Sequence, residues 1–183
     1  NCYIVGGYAI SNDGDVSGNH GNEDFWVVKL SSTGAILWQN ALGGSGTDVG
    51  NYIRQTSDSG YVIVGYSASS TGDVTGNHGG FDYWVAKLSS TGVLQWQQSL
   101  AGSAFDHATS VEQMPDSTYI VAGFSLSADG DVTGSHGSFE YWILKLSTTG
   151  VIIWEKSLGG SGADGAYPYC VDIHRTTDAG YIV

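Results

Sequence analysis

Apolar residues along this chain come in short bursts separated by small polar residues. In the central part the bursts are NYIRQT (51–56), GYVIVGYSA (60–68), FDYWVAKLS (81–89) and VLQWQQSLA (93–101). Each is rich in β-branched and aromatic residues and bounded by Gly, Ser, Asp or Thr, which predicts a strand. No stretch sustains a helical period. The turns SDSG and SSTG between these runs predict antiparallel hairpins. The third run is apolar on both faces, with Trp84, Ala86 and Leu88 on one side and Tyr83 and Val85 on the other. A sheet with one wet face would alternate instead, so these strands are expected to be sandwiched between neighbours.

The same bursts recur. FWVVKLSSTG (25–34), YWVAKLSSTG (83–92) and YWILKLSTTG (141–150) are spaced by 58 residues, as are Trp38, Trp96 and Trp154. The loops DGDVSGNHG at 13, TGDVTGNHG at 71 and DGDVTGSHG at 129 keep the same interval. The last copy slips by four residues at GADGAYPYCVDI, and the AYPY stretch near 167 is the one strong departure from the pattern. Four antiparallel strands per repeat predict an all-β chain of β-propeller blades, each beginning with its innermost strand. The blade portions are 1–46, 47–104, 105–162 and 163–183. About three blades are too few to close a propeller, which needs at least about four. The chain is therefore expected to be a fragment of a larger ring. A β-solenoid is the rival, but its coils repeat at shorter periods.

Composition narrows the partners. The 183 residues carry 18 acids against 6 bases, a net charge of -12, with 41% hydrophobic residues. That apolar content excludes disorder as the main state. No apolar run approaches the roughly 18 residues of a membrane span, and six scattered bases cannot track a phosphate backbone. Neither a membrane span nor nucleic-acid binding is expected. Cys2 and Cys170 allow one bridge or two free thiols. The chain opens at Asn1 directly in a strand-like run, which reads as a processed or truncated product.

Strands that run up and down put the short turns at one end of each sheet and the long loops at the other. The long-loop end gathers Asp13, Asp15, Asp48, Asp73, Asp106, Asp129, Asp131 and Asp164 beside His20, His78 and His136. Asp13, Asp15, Asp73, Asp129 and Asp131 are candidate Ca²⁺ ligands, because a hard cation takes several closely spaced oxygens around a Gly turn. The spacing is shorter than an EF-hand loop, and Thr71 and Ser135 break the set. The competing reading is that these aspartates cap turns. His20, His78 and His136 each precede a Trp (Trp26, Trp84, Trp142) by six residues, and repetition in every copy argues for a structural role. Lys29, Lys87 and Lys145 sit in otherwise apolar strands and must snorkel or pair, with Asp48, Asp106 or Asp164 as expected partners. Trp38, Trp96 and Trp154 on the fourth strand are expected to fill gaps between blades rather than stack on sugars. No GxSxG, HExxH, P-loop or paired-cysteine motif is present.

The blocks LGGSGTD (42–48), GYVIVGYS (60–67) and YWVAKLSSTG (83–92) resemble the bacterial SBBP-type β-propeller repeat, especially tandem repeats of large secreted proteins of Bacteroidota-type bacteria. The resemblance spans essentially the whole chain. It implies an extracellular propeller module, secreted or on the bacterial cell surface, of a kind often joined to a terminal sorting domain for type IX secretion and mostly without an assigned activity; the lack of catalytic motifs adds the expectation of a non-catalytic role. The His, Asp and Trp spacing is similar to the networks of WD-repeat blades. The expected function is a scaffold for adhesion, ligand binding or assembly, with a surface protein, a glycan or the remaining blades as partner. The rivals are a propeller hydrolase or lyase whose catalytic residues lie outside this stretch, and a structural spacer or secretion passenger.

Overall fold

In the computed structural model, which describes residues 1–164, 171–178 and 180–183, the chain is all-β, with no helix among the described residues. The AYPY stretch and Cys170 lie outside them. The first sheet has three strands, β1 (Cys2–Ala9), β2 (Asp24–Ser31) and β3 (Ile36–Leu42). The second has four, β4 (Asp48–Gln55), β5 (Tyr61–Ser67), β6 (Asp82–Leu88) and β7 (Leu94–Leu100), in sequence order. The third repeats this with β8 (Asp106–Gln113), β9 (Tyr119–Ser125), β10 (Glu140–Leu146) and β11 (Ile152–Leu158). A short pair, β12 (His174–Arg175) with β13 (Tyr181–Ile182), follows. All pairings within the sheets are antiparallel.

Local chemistry explains the hairpins. In SSTG the Ser31, Ser89 and Ser147 amides bond across the turn to the residue after the Gly, and Gly34, Gly92 and Gly150 take φ of 84–86°. That left-handed conformation costs a residue with a Cβ about 1–2 kcal/mol, so Gly is the fitting choice. One register shift recurs between Lys29/Leu30, Lys87/Leu88 and Lys145/Leu146, and another at Asn51 and Thr109 in the first strands. These bulged residues reach outward: the Asn51 side-chain NH₂ donates to the Ala108 carbonyl on β8 at 2.8 Å and the Thr109 hydroxyl to the Val171 carbonyl, ahead of β12, at 2.6 Å.

Each seam between sheets holds its own apolar layer. Phe25, Val27 and Leu42 meet Ile63, Trp84 and Ala86 in the first seam. Val64, Tyr83 and Val85 meet Val111, Val121 and Trp142 in the second. Met114, Ile120 and Ile143 meet Val171 and Ile173 in the third. Accordingly β6 and β9 are buried along their whole length, while β1 exposes Tyr3, Val5 and Tyr8. Strand-to-strand contact between neighbouring sheets runs mainly through the first strands β4 and β8. A Cβ on Gly50 would stand 2.8 Å from the Gly7 carbonyl oxygen, so only glycine admits this spacing. The antiparallel sheets are consistent with propeller-like blades, and among the described residues they do not close on one another.

Candidate functional site

At the long-loop end the Asn-His-Gly segments fold back onto the strand that follows. The Asn19 and Asn77 side-chain oxygens accept the Gly21 and Gly79 amides, and their NH₂ groups donate to the Ala9 and Ser67 carbonyls. This seats each histidine on the acid that opens the third strand of its repeat. His20 meets Asp24 through its backbone N–H at 2.9 Å and its Nδ1 at 2.7 Å. His78 meets Asp82 in the same way at 2.8 and 3.1 Å, and His136 Nδ1 stands 3.3 Å from Glu140. The acids are fully buried, whereas the histidines are partly exposed.

The tryptophans do not join this pair. Trp26 Nε1 donates to Gln39 at 2.8 Å, Trp84 to Gln97 at 2.7 Å and Trp142 to Glu155 at 2.8 Å, all on the outer strand. Gln39 and Gln97 in turn donate to Ser17 and Thr75 of the long loop at 2.6 Å, and Thr133 donates to Glu155. The expected His–Asp–Trp network is thus two separate clasps. Its second half, Gln39 with Ser17 and its copies, was legible only as a further match at the 58-residue interval.

The aspartates read as Ca²⁺ ligands are not gathered around a common point. Asp73 and Asp131 clasp the preceding sheet: Gly43 N donates to the Asp73 carboxylate at 3.3 Å while Asp73 N donates to the Gly43 carbonyl at 2.8 Å, and Ala101 with Asp131 repeats this at 3.2 and 2.9 Å. Asp129 accepts the Ser103 amide at 2.7 Å, which holds its carboxyl below the usual range. Thr71, which breaks the acidic pattern, accepts the Ser45 amide at 3.0 Å in the same position. Asp13 and Asp15 are exposed. Among the described residues no group of three or more His, Cys, Asp or Glu is placed to hold a metal ion.

The lysines lie at the opposite end, which corrects the expected pairing with Asp48, Asp106 or Asp164. An antiparallel strand that begins at the long loops carries Lys87, five residues on, to the short turns. There it meets Asp58 of SDSG at 2.9 Å, and Lys145 meets Asp116 at 3.3 Å. Lys29 lies 5.6 Å over the Tyr61 ring and donates to the Ser90 carbonyl. Trp38 and Trp96 pack on the next sheet, each 5.7 Å edge-on from Tyr61 or Tyr119 and against the turn glycines Gly92 and Gly150. Trp154, facing no such sheet, is 38% exposed.

Two features escaped sequence reasoning. Buried acids open β2, β4, β6, β8 and β10. Asp48 accepts the Gly44 amide at 2.8 Å and the Ser69 and Ser67 hydroxyls, and Asp106 accepts the Gly102 amide at 3.0 Å and the Ser127 hydroxyl at 2.7 Å. Burial pushes the carboxyls of Asp48, Asp82 and Asp106 up. The acid two residues before each of Trp26, Trp84 and Trp142 was the available signal. The second feature is aromatic: Tyr66 stacks on His107 at 4.0 Å, and Phe81 packs edge-on against both. Phe105 completes the group and is 49% exposed. The preceding repeat has Tyr8, Glu23, Thr47 and Val49 at these positions, whereas the following repeat places Phe124 and Phe139 there, 5.5 Å apart, with Phe124 4.9 Å from His107. Burial lowers the His107 pKa to about 4. No protein-family model matches this chain, and no curated protein matches it either.

Proposed function

We propose that this chain is a non-catalytic β-propeller scaffold, secreted or displayed on a bacterial cell surface, that offers its long-loop end for adhesion, ligand binding or assembly. One observation carries the reading. Histidines and aspartates at that end recur in the same hydrogen bonds in successive repeats: His20 with Asp24 and His78 with Asp82, Asp73 with Gly43 and Asp131 with Ala101. Catalysis needs one differentiated site, whereas a scaffold needs each joint to hold. What differs between repeats is Phe105, where the neighbouring repeats have Thr47 and Ala163, and a partly exposed aromatic among polar loops suits contact with a protein or glycan.

The test is a binding screen of the chain against bacterial surface glycans and cell-envelope proteins, with Phe105→Ser as the paired variant. The reading expects binding that weakens at least tenfold in the variant while its circular dichroism and melting curve stay unchanged. Turnover of a glycoside, peptide or polysaccharide by the chain would replace it with the enzyme reading.

A further inference from the structure

Between the long loop of the second repeat, the outer strand β7 and the turn into β11 lies a crevice of about 550 Å³. A volume of that order takes a small organic ligand. Its lining mixes polar side chains, among them Thr75, His78, Gln98 and Ser99, with the apolar Leu100, Val151 and Ile152. Much of the polar lining has hydrogen-bonding capacity to spare. Ser99 is 6% exposed, and its hydroxyl is buried without a partner. His78 Nδ1 is tied to Asp82, which leaves Nε2 as the second bonding atom of a partly exposed ring. The Thr75 hydroxyl accepts from Gln97 at 2.6 Å and keeps its own proton to donate. A buried hydroxyl left unmade is costly, and a ligand that supplies its partner recovers that cost on binding.

The first repeat closes the same place. Ala41 stands there at the Ser99 position, and Asn40, at the Gln98 position, donates to the Gly92 carbonyl at 2.9 Å across the seam. Gln98 is one methylene longer and lays its stem against Gly150 instead. The third repeat keeps the opening: Thr133, His136, Lys156 and Ser157 line a crevice of about 320 Å³, and the Ser157 hydroxyl is again buried without a partner. A crevice that returns with its idle serine 58 residues on is built into the repeat and is not a single packing defect.

The lining selects the class of ligand. No lysine or arginine lines the second-repeat crevice, Asp131 does, and the chain carries a charge of -12, so an anion is repelled. Hydroxyls, a carboxamide and an imidazole beside three aliphatic side chains match a molecule that carries many hydroxyls on a carbon ring. We propose that this crevice binds a neutral saccharide unit, with its hydroxyls held by Ser99, Gln98 and His78. The proposal rests on the reading of the chain as a binding scaffold and gives it a ligand class at a site whose lining does not include Phe105.

The test is an NMR titration of the full 183-residue chain with glucose, galactose, mannose and N-acetylglucosamine. The sugars run up to about 10 mM, above the roughly millimolar Kd that a few hydrogen bonds support. At least one should receive saturation transfer from the protein and shift the amides of residues 75–78 and 97–100. Ser99→Ala and Gln98→Asn install the residues of the first repeat, and each should weaken that binding by about three- to tenfold. Glucuronic acid should leave those amides unmoved, and Phe105→Ser should bind the sugar as wild type does. No transfer to any of the neutral sugars, shifts confined to other amides, or wild-type affinity in the Ser99→Ala/Gln98→Asn double variant would overturn the proposal, as would glucuronic acid shifting the same amides. Sugar binding lost in Phe105→Ser and kept in the double variant would also overturn it, while leaving the scaffold reading standing. The amide map of the wild type decides even if a variant fails to fold.

Discussion

Lys87 is 3% exposed, and its ammonium meets Asp58, the Leu88 carbonyl and Gln95 Oε1 at 2.9–3.2 Å. Its partner is open to water, with the Asp58 side chain 55% exposed. Removing the lysine therefore strands no buried carboxylate, whereas removing the aspartate leaves a buried cation with fewer oxygens. Asp58→Ala should cost about 1.5–3 kcal/mol, the usual range for a hydrogen bond to a charged group. Lys87→Met, which keeps the stem, should cost less, about 1 kcal/mol. Denaturant melts of the two variants check the order, and Lys87→Met proving the more damaging would refute it. The Thr56 hydroxyl first, then Lys87, holds the Asp58 carboxyl at about 2 in place of 3.8. The sign follows: a folded value below the unfolded one stabilises above about pH 4 and is lost as pH falls through about 2. Asp58→Ala should lose this acid-side dependence.

At the scale of elements, the seams depend on third-strand side chains that cross to the next sheet. Trp84 is wholly buried, 4.4 Å edge-on from Phe25 of the first sheet, and Trp142 meets Tyr83 of the second sheet at 4.7 Å. Truncating such a ring leaves a cavity in close packing, so Trp84→Ala should cost about 3–5 kcal/mol. Trp154 lies on an outer strand and is 38% exposed, and Trp154→Ala should cost about 0.5 kcal/mol or less. Thermal or urea melts would show the contrast, and equal losses would mean that the fourth-strand tryptophan carries packing not evident from its exposure. The same contrast explains β1, whose repeat copies β5 and β9 are buried while it exposes Tyr3 and Val5: the residues are similar and the neighbours are not.

For the whole molecule, -12 charges oppose the compact state by mutual repulsion. Added NaCl between 0.05 and 0.5 M should raise the melting temperature by shortening the screening length from roughly 14 to 4 Å. CaCl₂ at matched ionic strength should add nothing beyond NaCl, because Asp73, Asp129 and Asp131 already serve backbone amides. A Ca²⁺-specific rise abolished by Asp73→Asn or Asp131→Asn would restore the ligand reading of those loops.

The strands, their pairing and the repeat were legible in the sequence, because a two-sided apolar run such as FDYWVAKL and a turn such as SSTG act locally. The recurrence of His78 and Trp84 marked positions with repeated contacts, but the two serve separate ones, His78 with Asp82 and Trp84 with Gln97. Which atoms meet was decided only by the tertiary structure. Antiparallel direction sent Lys87 to Asp58 rather than to Asp106, since a strand of seven residues separates its two ends by roughly 20 Å. Sheet-on-sheet contact gave Asp73 to Gly43, 30 residues earlier and on another sheet, and set Phe81 against Phe105. Sequence spacing encodes neighbours along a strand and across a hairpin; a seam brings together residues whose separation is fixed by the length of an entire repeat, and no local pattern records it.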